Sequence, residues 1–151
     1  MNCRMVFTQE YEQIELVHDA LYAFNLLRCG IERKENVRAV RHIAPGALIL
    51  RGDDDEFLGG VVWHQLENSL NVFVDYMFVS DKLRGLGWGS KLFQRLEQIV
   101  KASGGDEITV TTNSFQAPEF YLKNGYTVIG ETPSPQKLFP DNIHYKFSKK
   151  L

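Results

Sequence analysis

The sequence has little from which to build a covalent or metal-held frame. Its two cysteines, Cys3 and Cys29, lie far apart, and neither belongs to a CxxC pair. That pattern excludes a disulfide framework and a cysteine zinc site, leaving two buried or half-buried thiols. The histidines His18, His42, His64 and His144 are scattered, with no HExxH and no pair at helical spacing. No metal site is expected from them. An excess of one charge is missing as well: 17 Lys and Arg against 19 Asp and Glu give a formal net charge of −2. A dedicated nucleic-acid binder carries a clear basic excess. No apolar run approaches the roughly 18 residues that span a bilayer. The N-terminal MNCRMVFTQEYEQ has no apolar stretch of signal type. The expectation is a cytoplasmic protein with neither a nucleic-acid nor a membrane partner.

What is present is ordinary globular material. The 151 residues are 44% hydrophobic and 24% charged. Such a chain fits one domain, residues 1–151, and buries about 70% of the surface its unfolded form exposes. Strand CRMVF opens it, and Thr8 can cap a helix whose stripe is Ile14, Val17, Leu21 and Phe24, with Ala20 and Leu27. Gly30 suits a helix stop. The charged IERKENVRAVRH reads as a loop or a short second helix. ALILR, EFLGGVVWHQ and LNVFVDYMFV, joined by GDDD and ENS, read as an antiparallel meander. The acidic run from Asp53 to Glu56 is expected as a solvated hairpin turn. A long helix follows, with Trp88, Leu92, Phe93, Leu96, Ile99 and Val100 on one face. Strand EITVTT, short helix APEFYLKN ended by Gly125, and strands YTVIG and IHYKFS complete the chain. The class is α+β, with a mixed, mostly antiparallel sheet of about seven strands flanked by helices.

The most informative stretch is RGLGWGSK, Arg84 to Lys91, which follows a strand and opens a helix. Glycines 85, 87 and 89 leave backbone N–H groups uncovered, and the helix N-terminus adds about half a positive charge. That combination suits a phosphate or pyrophosphate. Two rival phosphate loops fail on context. A P-loop needs GxxxxGK[ST], but Ser90 separates Gly89 from its lysine. A dinucleotide fingerprint needs GxGxxG directly after a parallel strand. Here Ser90 takes the third glycine's place, and the preceding strand belongs to a meander.

An apolar strand end, RGxGxG and an amphipathic helix together resemble the acetyl-CoA-binding motif of the GNAT N-acetyltransferases. EFYLKNGY resembles their second signature, FYxxxGY, and the element order matches theirs. TTNSFQAPEFYLKNGYTVIG with IHYKFSKKL is similar to small bacterial single-domain members. The resemblance implies that the central strands splay and that the pantetheine arm of acetyl-CoA, the co-substrate, lies in the gap along the backbone of Met77, Phe78 and Val79. It implies a pyrophosphate wrapped by Arg84, Gly85, Leu86, Gly87, Trp88, Gly89 and Ser90. Trp88 faces either the core or the cofactor. Tyr121 matches the family's tyrosine, which protonates the departing thiolate; its alternative is a packed aromatic beside Phe120. The family often has Asn seven residues before that tyrosine; here the position is Ser114, and the contact falls either to its hydroxyl or to Asn113 just before it.

Strand alternation puts Asp75 on the face of Met77 and Val79. There it is a general base, a structural acid, or an anchor for a cationic acceptor. His64 and Glu67 are weaker candidates. The acceptor implied is an amine on a small molecule or peptide, bordered by YAFNLLRCG, with Tyr22, Asn25 and Arg28, and by PSPQKLFPDN. A homodimer is left open. The function expected is transfer of acetyl to a primary amine by direct attack in a ternary complex, without a metal. The alternatives are a non-catalytic acyl-CoA-binding or regulatory module and, more remotely, a nucleotide-binding domain.

Overall fold

The computed structural model describes residues 2–29, 37–113, 118–133 and 143–151. Among them, strand β1 is Arg4–Thr8, helix α1 Tyr11–Cys29, β2 Pro45–Arg51, β3 Phe57–Gln65 and β4 Val72–Val79. Helix α2 is Trp88–Ala102, β5 Glu107–Asn113, α3 Pro118–Lys123, β6 Thr127–Pro133 and β7 Ile143–Lys150. This is the order the sequence predicts. Thr8 Oγ1 accepts the Glu10 N–H at 3.1 Å just before α1. Gly30 and residues 31–36 lie outside the described residues, and residues 37–42 are neither helix nor strand. The acidic run forms a tight turn at Asp53–Asp55, where Arg4 pairs with Asp55 at 2.5 Å. No described helix is long and apolar enough to cross a membrane.

The strands form one sheet in the order β1-β2-β3-β4-β5-β7-β6. Every neighbouring pair is antiparallel except β4 and β5. On one face, Ile14 and Val17 of α1 pack with Ala47, Ile49 and Val62. On the other, Leu92, Phe93, Leu96 and Val100 of α2 pack with Leu48, Leu50, Val61 and Trp63. Burial of each such α2 side chain contributes about 1.5–3 kcal/mol. Because β2 and β3 are covered on both sides, they read as continuous apolar runs rather than as alternation. Edge strand β6 is exposed along most of its length.

Two irregularities in β4 position everything that follows. The parallel pairing with β5 covers only Val72–Val74 against Ile108–Val110, so the two central strands part beyond Val74. The β3–β4 register also shifts there: Trp63 faces Val74 and Val62 faces Tyr76, which leaves Asp75 as the extra residue of a bulge.

Candidate active site

Beyond Val74, β4 continues to Val79 paired with β3 alone. The Ser80 N–H still donates to the Leu58 carbonyl at 2.9 Å, on the β3 side. Backbone groups alternate along a strand. Phe78 therefore turns its N–H and C=O to β3 with Ser80, while Met77 and Val79 turn theirs to the open side. The opening is a cleft of about 610 Å³ between β4 and β5. Leu21, Phe24 and Asn25 of α1 close one side, and Phe120 and Tyr121 of α3 line it with Val110–Thr112 of β5.

The glycine turn lies at one end of this cleft. Buried Leu83 anchors the short Asp81–Leu83 turn beneath it. The Arg84 N–H donates to Asp81 at 3.1 Å and the Leu86 N–H to Leu83 at 3.2 Å. Gly85 and Gly87 have φ of 76° and 78°, the left-handed region that a side chain disfavours. A Cβ built on either would meet nothing within 4 Å, so both face open space. Gly87 caps α2, and its carbonyl takes the Lys91 N–H at 3.1 Å. The N–H groups of Trp88, Gly89 and Ser90 then belong to the first turn, which has no intrahelical acceptors. All three residues line the cleft. Gly89 is glycine for another reason: a Cβ there would come within 3.0 Å of Met77 and Phe120. The exposed Arg84 guanidinium pairs with Asp81 at 2.5 Å on the rim. An anion at such a first turn is stabilised by about 0.3–1 kcal/mol when exposed, and by up to about 2 kcal/mol when partly buried.

Across the cleft, α3 is a single short turn of helix ended by Gly125, which has a φ of 88°. It holds Tyr121 among the rings of Phe93, Phe120, Tyr126 and Phe147, with centroids 5.2 to 6.1 Å away. Burial pushes its phenol pKa well above the ordinary tyrosine range. The hydroxyl thus stays protonated at neutral and moderately alkaline pH.

The bulge sends Asp75 to the α1 face, opposite Met77 and Val79. Those two pack with the α2 core, whereas Tyr76 and Phe78 pack with the α1 core. The alternation expected from sequence is broken by that one extra residue. His64 Nδ1 lies 2.8 Å from one Asp75 carboxylate oxygen, and His42 Nε2 lies 3.4 Å from the other. The two imidazoles stack at 3.7 Å with only 7° between their planes. Burial raises the Asp75 pKa, and His64 and His42 oppose that shift. Asp75 and Tyr76 line both the cleft and a smaller cavity of about 160 Å³ behind the strand.

Comparison with known proteins decides what this arrangement belongs to. The acetyltransferase (GNAT) family profile matches residues 13–126. The chain belongs to the GNAT acetyltransferase family. A blasticidin-S acetyltransferase of Streptomyces morookaense is 33% identical over 102 residues, covering 67% of this chain and 74% of the relative. The crystal structure of a GNAT acetyltransferase from Staphylococcus aureus Mu50 superposes with a TM-score of 0.76 at 19% identity, over 99% of both chains. A Bacillus anthracis protein described as a streptothricin acetyltransferase was solved with acetyl coenzyme A; it has a TM-score of 0.65 at 20% identity, over 80% of this chain and 73% of that one.

In this GNAT acetyltransferase the cleft gathers Met77, Phe78, Val79, Arg84, Gly85, Gly87, Trp88, Gly89, Ser90, Asp75 and Tyr121. Leu86 is not among its lining residues and is 58% exposed. Trp88 is half-buried against the α2 core and borders the cleft, with Lys91 Nζ 4.3 Å above its ring. Asn113 is not a lining residue either; its Oδ1 lies 3.3 Å from His144 Nδ1. Ser114 and most of PSPQKLFPDN lie outside the described residues, as does the Arg28 side chain. Glu67 sits on the exposed turn after β3. His42 was missed as a neighbour of Asp75, and no local sequence signal marks it.

Proposed function

We propose that residues 1–151 form one N-acetyltransferase domain acting on a primary amine. The observation that carries this reading is the parting of β4 from β5 beside a glycine turn that feeds α2. That gap offers an unpaired strand edge and a ring of backbone donors, which suit an extended amide-bearing arm ending in a pyrophosphate. When bound, acetyl-CoA supplies the activated acetyl group, and the amine takes it directly in a ternary complex. The N–H groups of Met77 and Val79 donate along the open edge, one of them to the thioester oxygen. Loss of such a donor typically costs about 10²–10³ in rate. The first turn of α2, with Gly85, Gly87 and Arg84, holds the pyrophosphate. Asp75 accepts the amine's proton, directly or through a water, and the Tyr121 hydroxyl donates one to the leaving sulfur. Neither Cys3 nor Cys29 belongs to these motifs, in keeping with transfer that involves no covalent enzyme intermediate. The relatives named for antibiotics favour a small-molecule acceptor.

A ligand that binds only the native state raises its stability by about 2.7 kcal/mol at a hundredfold excess over Kd. Acetyl-CoA at that excess should raise Tm by several degrees. No shift, with no heat on calorimetric titration, would remove the reading. CoA release across an amine panel then separates an enzyme from a non-catalytic acyl-CoA-binding module.

Gly87→Val should weaken acetyl-CoA binding more than it lowers Tm. A β-branched residue in the left-handed region costs about 1–3 kcal/mol. Its side chain would project into the open space that lies between the turn and a pyrophosphate. Unchanged affinity by titration would reduce the turn to a helix cap.

A further inference from the structure

His42, His64 and Asp75 come from three separate stretches of chain, and the fold brings them to one point. His42 lies on the segment before β2, His64 near the end of β3, and Asp75 in the β4 bulge. We propose that these three side chains form a binding site for a late first-row divalent cation, with Zn²⁺ as the probe.

The distances support this. One donor atom from each residue can be chosen so that all three lie within 4.8 Å of one another. A tetrahedral zinc with bonds of about 2.0–2.1 Å sets its ligand atoms about 3.3 Å apart. His64 Nδ1 and His42 Nε2 lie 2.8 and 3.4 Å from opposite oxygens of the Asp75 carboxylate, so an ion held by one of those oxygens draws in the ring on the other. The rings stack 7° from parallel, so their in-plane lone pairs do not converge as they stand, and binding turns the His42 ring, carried outside regular structure, onto the ion. Two imidazoles and one carboxylate favour Zn²⁺, Co²⁺ or Ni²⁺ over Mg²⁺ and Ca²⁺, which prefer oxygen. Three protein ligands leave the fourth position to water.

Burial and access also fit. The side chains of His42, His64 and Asp75 are 29%, 18% and 9% exposed. The site is therefore partly dry yet open, and the smaller cavity reaches both His42 and Asp75. Arg41 also lines that cavity, and its guanidinium is held 3.6 Å over the Tyr11 ring. A bound ion would tie the segment carrying His42 to β3 and β4. It would also occupy the carboxylate that reaches the cleft, so zinc would oppose transfer rather than promote it.

The test is calorimetric titration of Zn²⁺ into chelator-treated protein, with Co²⁺ absorption as a second readout. One zinc per chain, visible Co²⁺ bands and a raised Tm are expected, with Mg²⁺ inert. His42→Gln and His64→Gln should each weaken Zn²⁺ by more than the roughly 10–100-fold that loss of an outer-shell partner costs. His42 lies outside regular structure, so its variant remains informative if His64→Gln does not fold. Acetyl-CoA affinity of His42→Gln should equal the parent's, which keeps this test separate from the reading of the cleft. No stoichiometric zinc, or zinc retained in either folded variant, overturns the site.

Discussion

Tyr121→Phe should fold like the parent, bind acetyl-CoA nearly as well, and lose about 10²–10⁴ in single-turnover rate. The ring keeps its place among Phe93, Phe120, Tyr126 and Phe147, so the substitution removes a hydroxyl and little packing. Burial raises the phenol pKa. Two consequences for pH follow. The hydroxyl stays protonated past the ordinary tyrosine pKa of about 10, so the parent's rate should show no tyrosine limb below that pH. A folded pKa above the unfolded one also contributes stability that is complete below about pH 10 and is lost as pH rises through the folded value. Tyr121→Phe should lack that alkaline loss. The raised pKa makes Tyr121 a weaker acid than a free thiol of pKa about 8.5. Full transfer of its proton to a free thiolate is therefore uphill, and the hydroxyl lowers the barrier as a hydrogen bond to the charge that builds on the leaving sulfur. A large fall in Tm with rate falling in parallel would reduce Tyr121 to a packed aromatic. An unchanged single-turnover rate, with chemistry shown to be limiting, would assign the proton to water or another residue.

Much of the fold was legible because its signals are local. The stripe through Leu92, Phe93, Leu96 and Val100 is periodic within one helix, and those residues are the ones α2 buries. RGLGWG could be read as an anion turn because left-handed glycines and a helix start are properties of a few neighbouring residues. The same periodicity could not separate core from cleft. Leu21 and Phe24 belong to the α1 stripe with Ile14 and Val17, yet they line the opening between β4 and β5. Strand alternation failed at Asp75 because a bulge depends on pairing with β3, and VFVDYMFV alone carries no sign of that register. His42 was illegible for a related reason. Its approach to Asp75 depends on how the segment before β2 packs against the sheet, whereas a metal motif in sequence depends on short spacing. Gly89 looked like a third open glycine, but the packing of Phe120 and Met77 makes it a contact position.

Asp75→Asn should fold, keep its acetyl-CoA affinity, and lose about 10²–10⁴ in kcat if it removes the amine's proton. The substitution is nearly isosteric and leaves the bulge intact. Asparagine keeps one carbonyl oxygen for the His64 ring at its 2.8 Å position, but it cannot accept a proton at neutral pH. The three roles open to Asp75 predict different outcomes. A base lowers kcat and leaves the acceptor KM nearly unchanged. An anchor for a cationic acceptor raises KM and spares kcat at saturation. A purely structural acid lowers Tm, because His42 and His64 lose a charged partner in a half-buried setting. Measurements should be made with chelator present, so that an ion on His42, His64 and Asp75 does not mask the carboxylate. The bulge explains why the base reading survives the change of face. Although Asp75 turns toward α1, its position at the parting of β4 and β5 keeps it on the cleft wall as well. An unchanged kcat in a folded, metal-free variant with chemistry limiting would move the proton to bulk water, and the histidine–aspartate cluster would then act only in holding the strands or an ion.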